Sequence, residues 1–233
     1  MRTIGFATIA EAPRDDVIPV IREMMPSELR IVERGNLNGL AADEIAALAP
    51  ENGEVGIVAR LKSGGETLLS HTKILPRMQH LVNELVEDEG VDLVVILCGA
   101  DWTEIRSPKV VVNPGRVFPS IVSGLSYGRS LGIIKPAAGQ VERERDRYRE
   151  LGINATVTSA SPYIGEGRLE LARKAAEQIH AAECDLVWMT CIGMDEAMRE
   201  VVAEVTGKPV ILARSILGRI ICELVSDRQP ALV

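Results

Sequence analysis

The chain reads as an α/β protein of two pseudo-symmetric lobes, each with a mainly parallel sheet. Three observations predict this. First, two stretches look like copies: Asp92-Leu93-Val94-Val95-Ile96-Leu97-Cys98 and Asp185-Leu186-Val187-Trp188-Met189-Thr190-Cys191. Each opens with Asp-Leu-Val and ends on a cysteine closely followed by a turn residue, Gly99 or Gly193. An apolar run of this length between turn signals reads as a strand buried on both faces of a parallel sheet. Second, the copying extends both ways. Lys109-Val110-Val111-Val112 and Lys208-Pro209-Val210-Ile211 lead at equal spacing to Ile121, Val122, Leu125 and to Ile220, Ile221, Leu224, while Thr3-Ile4-Gly5 upstream matches Ser130-Leu131-Gly132. Third, strand and helix patterns alternate along the chain, as parallel sheets with crossover helices require. Each half is then Rossmann-like, with a cysteine at the carboxyl end of a central strand, where open α/β sheets bind ligands.

In chain order, Thr3 to Ile9 is a strand and Ala10 to Asp16 a loop, with Pro13 and Asp15 or Asp16 suited to a helix start. Val17, Val20, Ile21 and Met24 recur at helical spacing up to Pro26, and a short strand follows over Leu29 to Glu33. Ala41 to Leu48 is a small helix with Asp43 and Glu44 at its positive end. Val55 to Leu61 and Glu66 to Ile74 form a β-hairpin around Gly64-Gly65. Nothing in the second half matches about 36–75, so this segment is an insertion in the first lobe, a lid or a dimer contact. Met78, Leu81, Val82, Leu85 and Val86 mark a helix ended by Gly90, residues 99–108 a loop, Lys109 to Asn113 a strand, and Val117 to Leu125 a helix. The second half opens with a strand over Ser130 to Pro136. Gly139 to Leu151, dense in Glu and Arg, is a solvated helix laced with pairs three or four apart. Ala155 to Ser159 is a strand, Ser161 to Gly167 a ligand-facing loop, and Leu169 to Ile179 a helix before the Cys191 strand. A helix from about Asp195, a last strand, and a helix over Ser215 to Val225 complete the chain, with 227–233 expected to fray. The lobes divide as residues 1–115 with 214–233, and 116–213.

Composition narrows the function. The formal net charge of −7 argues against nucleic acid and anionic membrane as partners, since both need a basic surface. No apolar run approaches the ~18 residues of a membrane span, and the first residues enter a strand pattern rather than a signal peptide, so a cytoplasmic protein is expected. Four cysteines are too few for a disulfide scaffold, and without Cys-x-x-Cys or His/Cys clusters at ligand spacing no metal or other cofactor is expected.

The candidate catalytic residues are Cys98 and Cys191. Inverting a centre beside a carbonyl needs a base on one face and an acid on the other, and a thiolate with a thiol suits this. A free thiol has a pKa near ~8.5, and a helix N-terminus lowers it toward working pH. Free backbone N–H groups after Cys191, with Thr190, Ile192 and Gly193, would shape a pocket for a carboxylate or enolate. Gly99 and Ala100 hold the equivalent place in the first half. The loops after the first strand of each half add Thr8 and Arg14, and Lys135 and Pro136; Arg14 is suited to an acidic group on the substrate. The competing reading for any one of these cysteines is core packing. Cys184 and Cys222 have no matched partner and read as packing residues, and His71, His80 and His180 as surface or packing residues. Tyr163 and Trp102 are loop aromatics placed equally for ligand contact or core.

Several stretches resemble the AroM family: Ala12-Pro13-Arg14-Asp15-Asp16-Val17, Glu33-Arg34-Gly35-Asn36-Leu37-Asn38-Gly39-Leu40, Leu48-Ala49-Pro50 and Leu97-Cys98-Gly99. AroM-type proteins look like relatives of the aspartate/glutamate/hydantoin racemases, and Thr190-Cys191-Ile192-Gly193-Met194 resembles the second-cysteine motif of hydantoin racemases. The resemblance implies an Asp/Glu racemase-like fold, one cysteine from each lobe, a homodimer, and a cofactor-independent racemase or epimerase acting on an amino acid, hydantoin or related carboxylate. Amino-acid racemases usually follow the first cysteine with Asn-Thr, whereas Gly99-Ala100-Asp101 stands here. Two alternatives stay open: a one-cysteine isomerase or decarboxylase of a small dicarboxylate, and a non-enzymatic small-molecule binder linked to aromatic metabolism.

Overall fold

The computed structural model describes residues 2–51 and 53–226; the tail expected to fray lies outside them. The first lobe holds β1 (Thr3–Thr8), α1 (Ile18–Glu23), β2 (Arg30–Gly35), α2 (Ala42–Ala47), the hairpin strands β3 (Ile57–Arg60) and β4 (Glu66–Leu69), α3 (His71–Glu87), β5 (Leu93–Leu97), β6 (Val110–Val112) and α4 (Pro114–Leu125). The second holds β7 (Leu131–Lys135), α5 (Val141–Glu150), β8 (Ala155–Ser159), α6 (Gly167–Ala181), β9 (Leu186–Met189), α7 (Glu196–Thr206), β10 (Val210–Leu212) and α8 (Ala213–Val225).

The two parallel sheets have the same order, β2-β1-β5-β6 and β8-β7-β9-β10. The register repeats as well: Ile4 pairs with Leu93 and Leu131 with Leu186, each the residue after the copied aspartate. That aspartate explains the copying. Asp92 accepts from the Thr3 N–H at 2.9 Å, and Asp185 from the Ser130 N–H at 3.0 Å, so each pins the start of its lobe's first strand. The matched glycines have a cause too. A Cβ on Gly5 would meet Leu85 of α3 at 3.0 Å, and one on Gly132 would meet Ile179 of α6 at 2.5 Å. Both lobes therefore seat a long helix directly against the backbone of the first strand.

The two halves also exchange helices. Phe118 of α4 meets Trp188 of β9 edge-on at 5.4 Å. Leu217, Ile221 and Val225 of α8 share a core cluster with Val17, Ile18 and Ile21 around α1, and a Cβ on Gly218 would reach Met24 at 2.6 Å. The largest apolar cluster thus runs from the first sheet into the second, fixing the crevice between their carboxyl ends.

One expectation needs correction. The hairpin stops at Leu69, because Ser70 caps α3 by accepting from the Lys73 N–H at 3.3 Å; His71 to Ile74 is helix, not strand. The loop expected over 99–108 is present: residues 99–109 stay irregular after Cys98, whereas Asp195 caps α7 after Cys191 with a bond from the Met198 N–H at 2.9 Å. Among the described residues no helix is long and apolar enough to cross a membrane.

Candidate active site

A cavity of about 640 Å³ opens between the two sheets at their carboxyl ends. Cys98, Gly99 and Ala100 line it from the end of β5; Thr190, Cys191, Ile192 and Gly193 line it from the end of β9. Arg14 enters from the loop after β1, and Lys135 and Pro136 from the end of β7. Thr8 is not on the wall. It is buried, and its hydroxyl accepts from Arg14 Nη1 at 3.1 Å, so it holds the arginine from behind.

The cysteine loops are neighbours: a Cβ on Gly99 would sit 3.1 Å from the Thr190 carbonyl oxygen. Cys98 is buried, and its sulfur accepts from the Ala100 N–H at 3.4 Å. Burial pushes its thiol up to about 11, against the pull of that N–H and of Lys135, and with a further push from Cys191. Cys191 is also raised, chiefly by burial; the Gly193 N–H, Arg14, Tyr163 and Lys135 offset part of the rise. Both shifts run opposite to the lowering expected from a helix N-terminus, because desolvation of the anion outweighs the donors. Thr190 is spent on structure, its N–H and hydroxyl both donating to the Ile134 carbonyl at 3.1 Å.

Arg14 is buried and already holds a carboxylate. Its Nε and Nη2 each lie 2.8 Å from an oxygen of Asp16, and Nη2 lies 3.5 Å from the Tyr163 hydroxyl. Burial works against the guanidinium charge, but the Asp16 fork outweighs it and the pKa rises overall. Burial likewise opposes the Asp16 charge, and Arg14 and Arg60 together still hold that carboxyl below its usual range. Arg14 therefore supplies positive potential to the crevice rather than an open fork. The Tyr163 hydroxyl lies 4.0 Å from the Cys191 sulfur and is pushed upward by burial, so it stays a donor. Gly193 makes room for it, since a Cβ there would lie 2.1 Å from that hydroxyl.

The motifs that carry the family resemblance hold this arginine in place. Asn38 accepts from the Ala12 N–H at 2.7 Å and donates to the Ala12 carbonyl at 3.0 Å, while Glu33 accepts from the Arg14 N–H at 2.7 Å. The loops after the cysteines are held from the helices that follow. Buried Arg214 donates to the carbonyls of Ile192 at 3.1 Å and Gly193 at 2.9 Å. Its counterpart in the repeat, Gly115, lets α4 approach so closely that a Cβ would lie 2.1 Å from the Ala100 carbonyl.

Sequence reasoning missed two walls. The insertion supplies the first, with Glu54 to Ala59 and with His71, whose Nε2 lies 2.9 Å from the Asp101 carbonyl and whose ring packs on buried Trp102 at 4.5 Å. His71 thus lines the cavity instead of sitting on the hairpin. The insertion is tied across the crevice, where Gln140 donates to the Gly56 carbonyl at 2.9 Å and Ser161 donates to Glu66, and to its own lobe, where Arg60 pairs with Asp16 at 3.1 Å. The second wall is the face of α5 and its lead-in that carries Gln140, Arg143, Glu144 and Arg147. Their spacing of three and four was the available signal, hidden in a helix charged all round. Cys184 is packed in the core of the second lobe, and Cys222 is half-buried, 3.6 Å from the Ser226 hydroxyl. Among the described residues no cluster of three His, Cys, Asp or Glu side chains is placed to hold a metal ion.

Comparison with known proteins places the chain. Glutamate racemase from Francisella tularensis subsp. tularensis SCHU S4, solved with D-glutamate, superposes with a TM-score of 0.59 at 15% identity, covering 98% of this chain and 84% of that one. Picrophilus torridus aspartate racemase gives 0.60 at 14%, covering 99% and 96%. Unliganded arylmalonate decarboxylase gives 0.55 at 14%, with the same coverage of 99% and 96%. At these identities the likeness is one of fold. No curated protein matches the chain. The family model described as AroM protein matches residues 4–225, and on that match the chain belongs to the AroM family.

Proposed function

We propose that the chain is a cofactor-independent racemase or epimerase of a small carbon acid, with Cys98 and Cys191 as its acid/base pair. One observation carries this: two cysteines at equivalent strand ends of a repeated lobe line a single cavity. Cys191 faces the fuller set of charge-stabilising groups, namely the Gly193 N–H, Arg14, Tyr163 and Lys135. It is the better placed to start as thiolate. It takes the proton from the α-carbon, the carbon's electron pair delocalises into the adjacent carbonyl, and the Cys98 thiol returns a proton to the opposite face. Cys191 ends as thiol and Cys98 as thiolate, ready for the reverse direction.

The same asymmetry favours a second reading. Cys98 is buried with one backbone donor at its sulfur, whereas Cys191 is more exposed and faces more donors, so the site also suits an isomerase or decarboxylase in which Cys191 alone is essential. Proton exchange in D₂O, followed by NMR with single enantiomers of amino acids, hydantoins and hydroxy acids, separates the readings. Exchange at the α-carbon lost in both Cys98→Ser and Cys191→Ser supports the two-thiol reaction. Activity that survives Cys98→Ser but not Cys191→Ser supports the one-cysteine reading. Ligand binding with no exchange in any variant leaves a small-molecule binder.

A further inference from the structure

The charged helix α5 has two unlike faces. On the solvent face the charges cancel locally: Arg145 pairs with Glu142 at 2.6 Å and Arg149 with Asp146 at 2.8 Å. The crevice face carries Gln140, Arg143, Glu144 and Arg147, and beside it stands Lys135. Here three cations share one carboxylate. Lys135 lies 3.4 Å from Glu144 and Arg147 3.8 Å from it, while Arg143 has no hydrogen-bond or ion-pair partner among the described residues. The cavity's other acids come from the first lobe and are partly engaged there. Glu54 accepts from the His71 N–H at 3.0 Å, Asp101 is bound by Thr103 and Asn113, and Glu104 stands nearby. The crevice therefore has a basic wall on the second lobe, in a chain whose net charge is −7.

Size and burial add a direction. A volume of about 640 Å³ holds roughly twenty water volumes at ~30 Å³ each, or roughly twice the heavy atoms of glutamate. Cys98 is buried and Cys191 half-buried, whereas Arg143 and Arg147, on the same cavity wall as Glu144, are exposed. We infer that the site takes an elongated carbon acid whose far end carries a second anionic group, a carboxylate or a phosphate, gripped by Arg143 and Arg147. Guanidinium forks suit both anions, because each offers two oxygens in one plane. This rests on the thiol-centred reading above and names the class of substrate that reading leaves open.

The test labels the crevice thiols with bromoacetyl amides. A thiolate displaces bromide, a carbon–sulfur bond forms, and the thiol proton goes to solvent. Three probes share one linker: bromoacetyl-aminohexanoate, its neutral methyl ester, and the matching aminoalkyl phosphonate. Peptide mass spectrometry follows labelling at Cys98 and Cys191. In the parent protein, at least one anionic probe labels about tenfold faster than the ester, with saturation, and the faster anion identifies carboxylate or phosphate. Arg143→Ala/Arg147→Ala brings the ratio of the anionic to the ester rate down to about one, whatever the ester rate itself. Arg145→Ala, on the solvent face, keeps the preference. Equal rates for charged and neutral probes in the parent protein, or a preference that survives the double substitution, overturn the inference alone. Failure of all three probes to label either crevice thiol overturns it together with the thiol-centred reading.

Discussion

Asp16→Asn is the sharpest probe of how the crevice is held. Arg14 is 3% exposed, and Asp16 is its only carboxylate within ion-pair distance among the described residues. Removing one partner of a buried pair costs ~3–5 kcal/mol, because the remaining charge is left without compensation. The low end applies here, since the Asp16 side chain is 23% exposed and its second bond, to the more exposed Arg60, is worth under ~1 kcal/mol. The expected loss at pH 7 is therefore about 3 kcal/mol, read from urea unfolding followed by the fluorescence of buried Trp102 and Trp188. The sign with pH is fixed by the direction of the Asp16 shift. Its folded pKa lies below the unfolded value of ~3.9, so its contribution is complete above that value and disappears as pH falls through the folded one. The gap between parent and variant should stay constant from neutral pH down to about pH 5 and close only in the acid limb below ~3.9. Arg14→Met combined with Asp16→Asn should cost less than the sum of the two, since neither charge is then stranded. A gap below ~1 kcal/mol at pH 7, the value of an exposed pair, would refute the reasoning, as would a gap that persists unchanged through the acid limb.

Three further outcomes follow from the packing and from the thiols. In a Cys184→Ala/Cys191→Ser/Cys222→Ala background, iodoacetamide should titrate Cys98 with a midpoint well above the ~8.5 of a free thiol, because burial still raises it, but below the parent's value of about 11, because the push from Cys191 is gone; a midpoint at ~8.5 counts against its burial. Because the fold favours the neutral thiol, stability is flat below the unfolded thiol pKa and declines as pH rises from there toward the folded one. Gly193→Ala should drive the Tyr163 hydroxyl from its place beside Cys191, cost ~1–3 kcal/mol of stability and slow Cys191 labelling; an unchanged Tyr163 position in a crystal structure of the variant would sink this. Gly132→Ala should destabilise more than Gly5→Ala: its Cβ meets the stiff branch of Ile179 at 2.5 Å, whereas at Gly5 the contact at 3.0 Å is the end of the more pliant Leu85, and the reverse order in thermal unfolding would show the packing argument wrong.

The repeat was legible because each copied residue does a local, repeatable task. Asp92 and Asp185 pin first strands, Gly5 and Gly132 admit helices, and the apolar runs between report strands buried on both faces. The insertion was legible as a segment without a copy, but not as a wall. Its contacts with Gln140, Ser161 and Asp16 join residues far apart in sequence, and periodicity reports which face is apolar without saying what lies opposite. His71 was misplaced for a smaller reason: no Gly or Pro breaks the stretch from Glu66 to Ile74, and only the cap at Ser70 shows that a helix begins.

The charged residues of the site were least legible, for an electrostatic reason. A motif shows that an arginine is present, but not whether its fork is already occupied. Arg14 stands in the most recognisable stretch of the first lobe, and its fork is closed by Asp16 two residues on. Arg143 stands in a charge run that composition assigns to solvent, and on the crevice wall it has no hydrogen-bond or ion-pair partner among the described residues. The same burial that commits Arg14 to Asp16 also raises both thiols, because removal from solvent penalises a charge that is not paired. Under the substrate class inferred above, an anionic group would therefore meet Arg143 and Arg147 at an exposed face of the crevice, while Arg14 stays committed to Asp16.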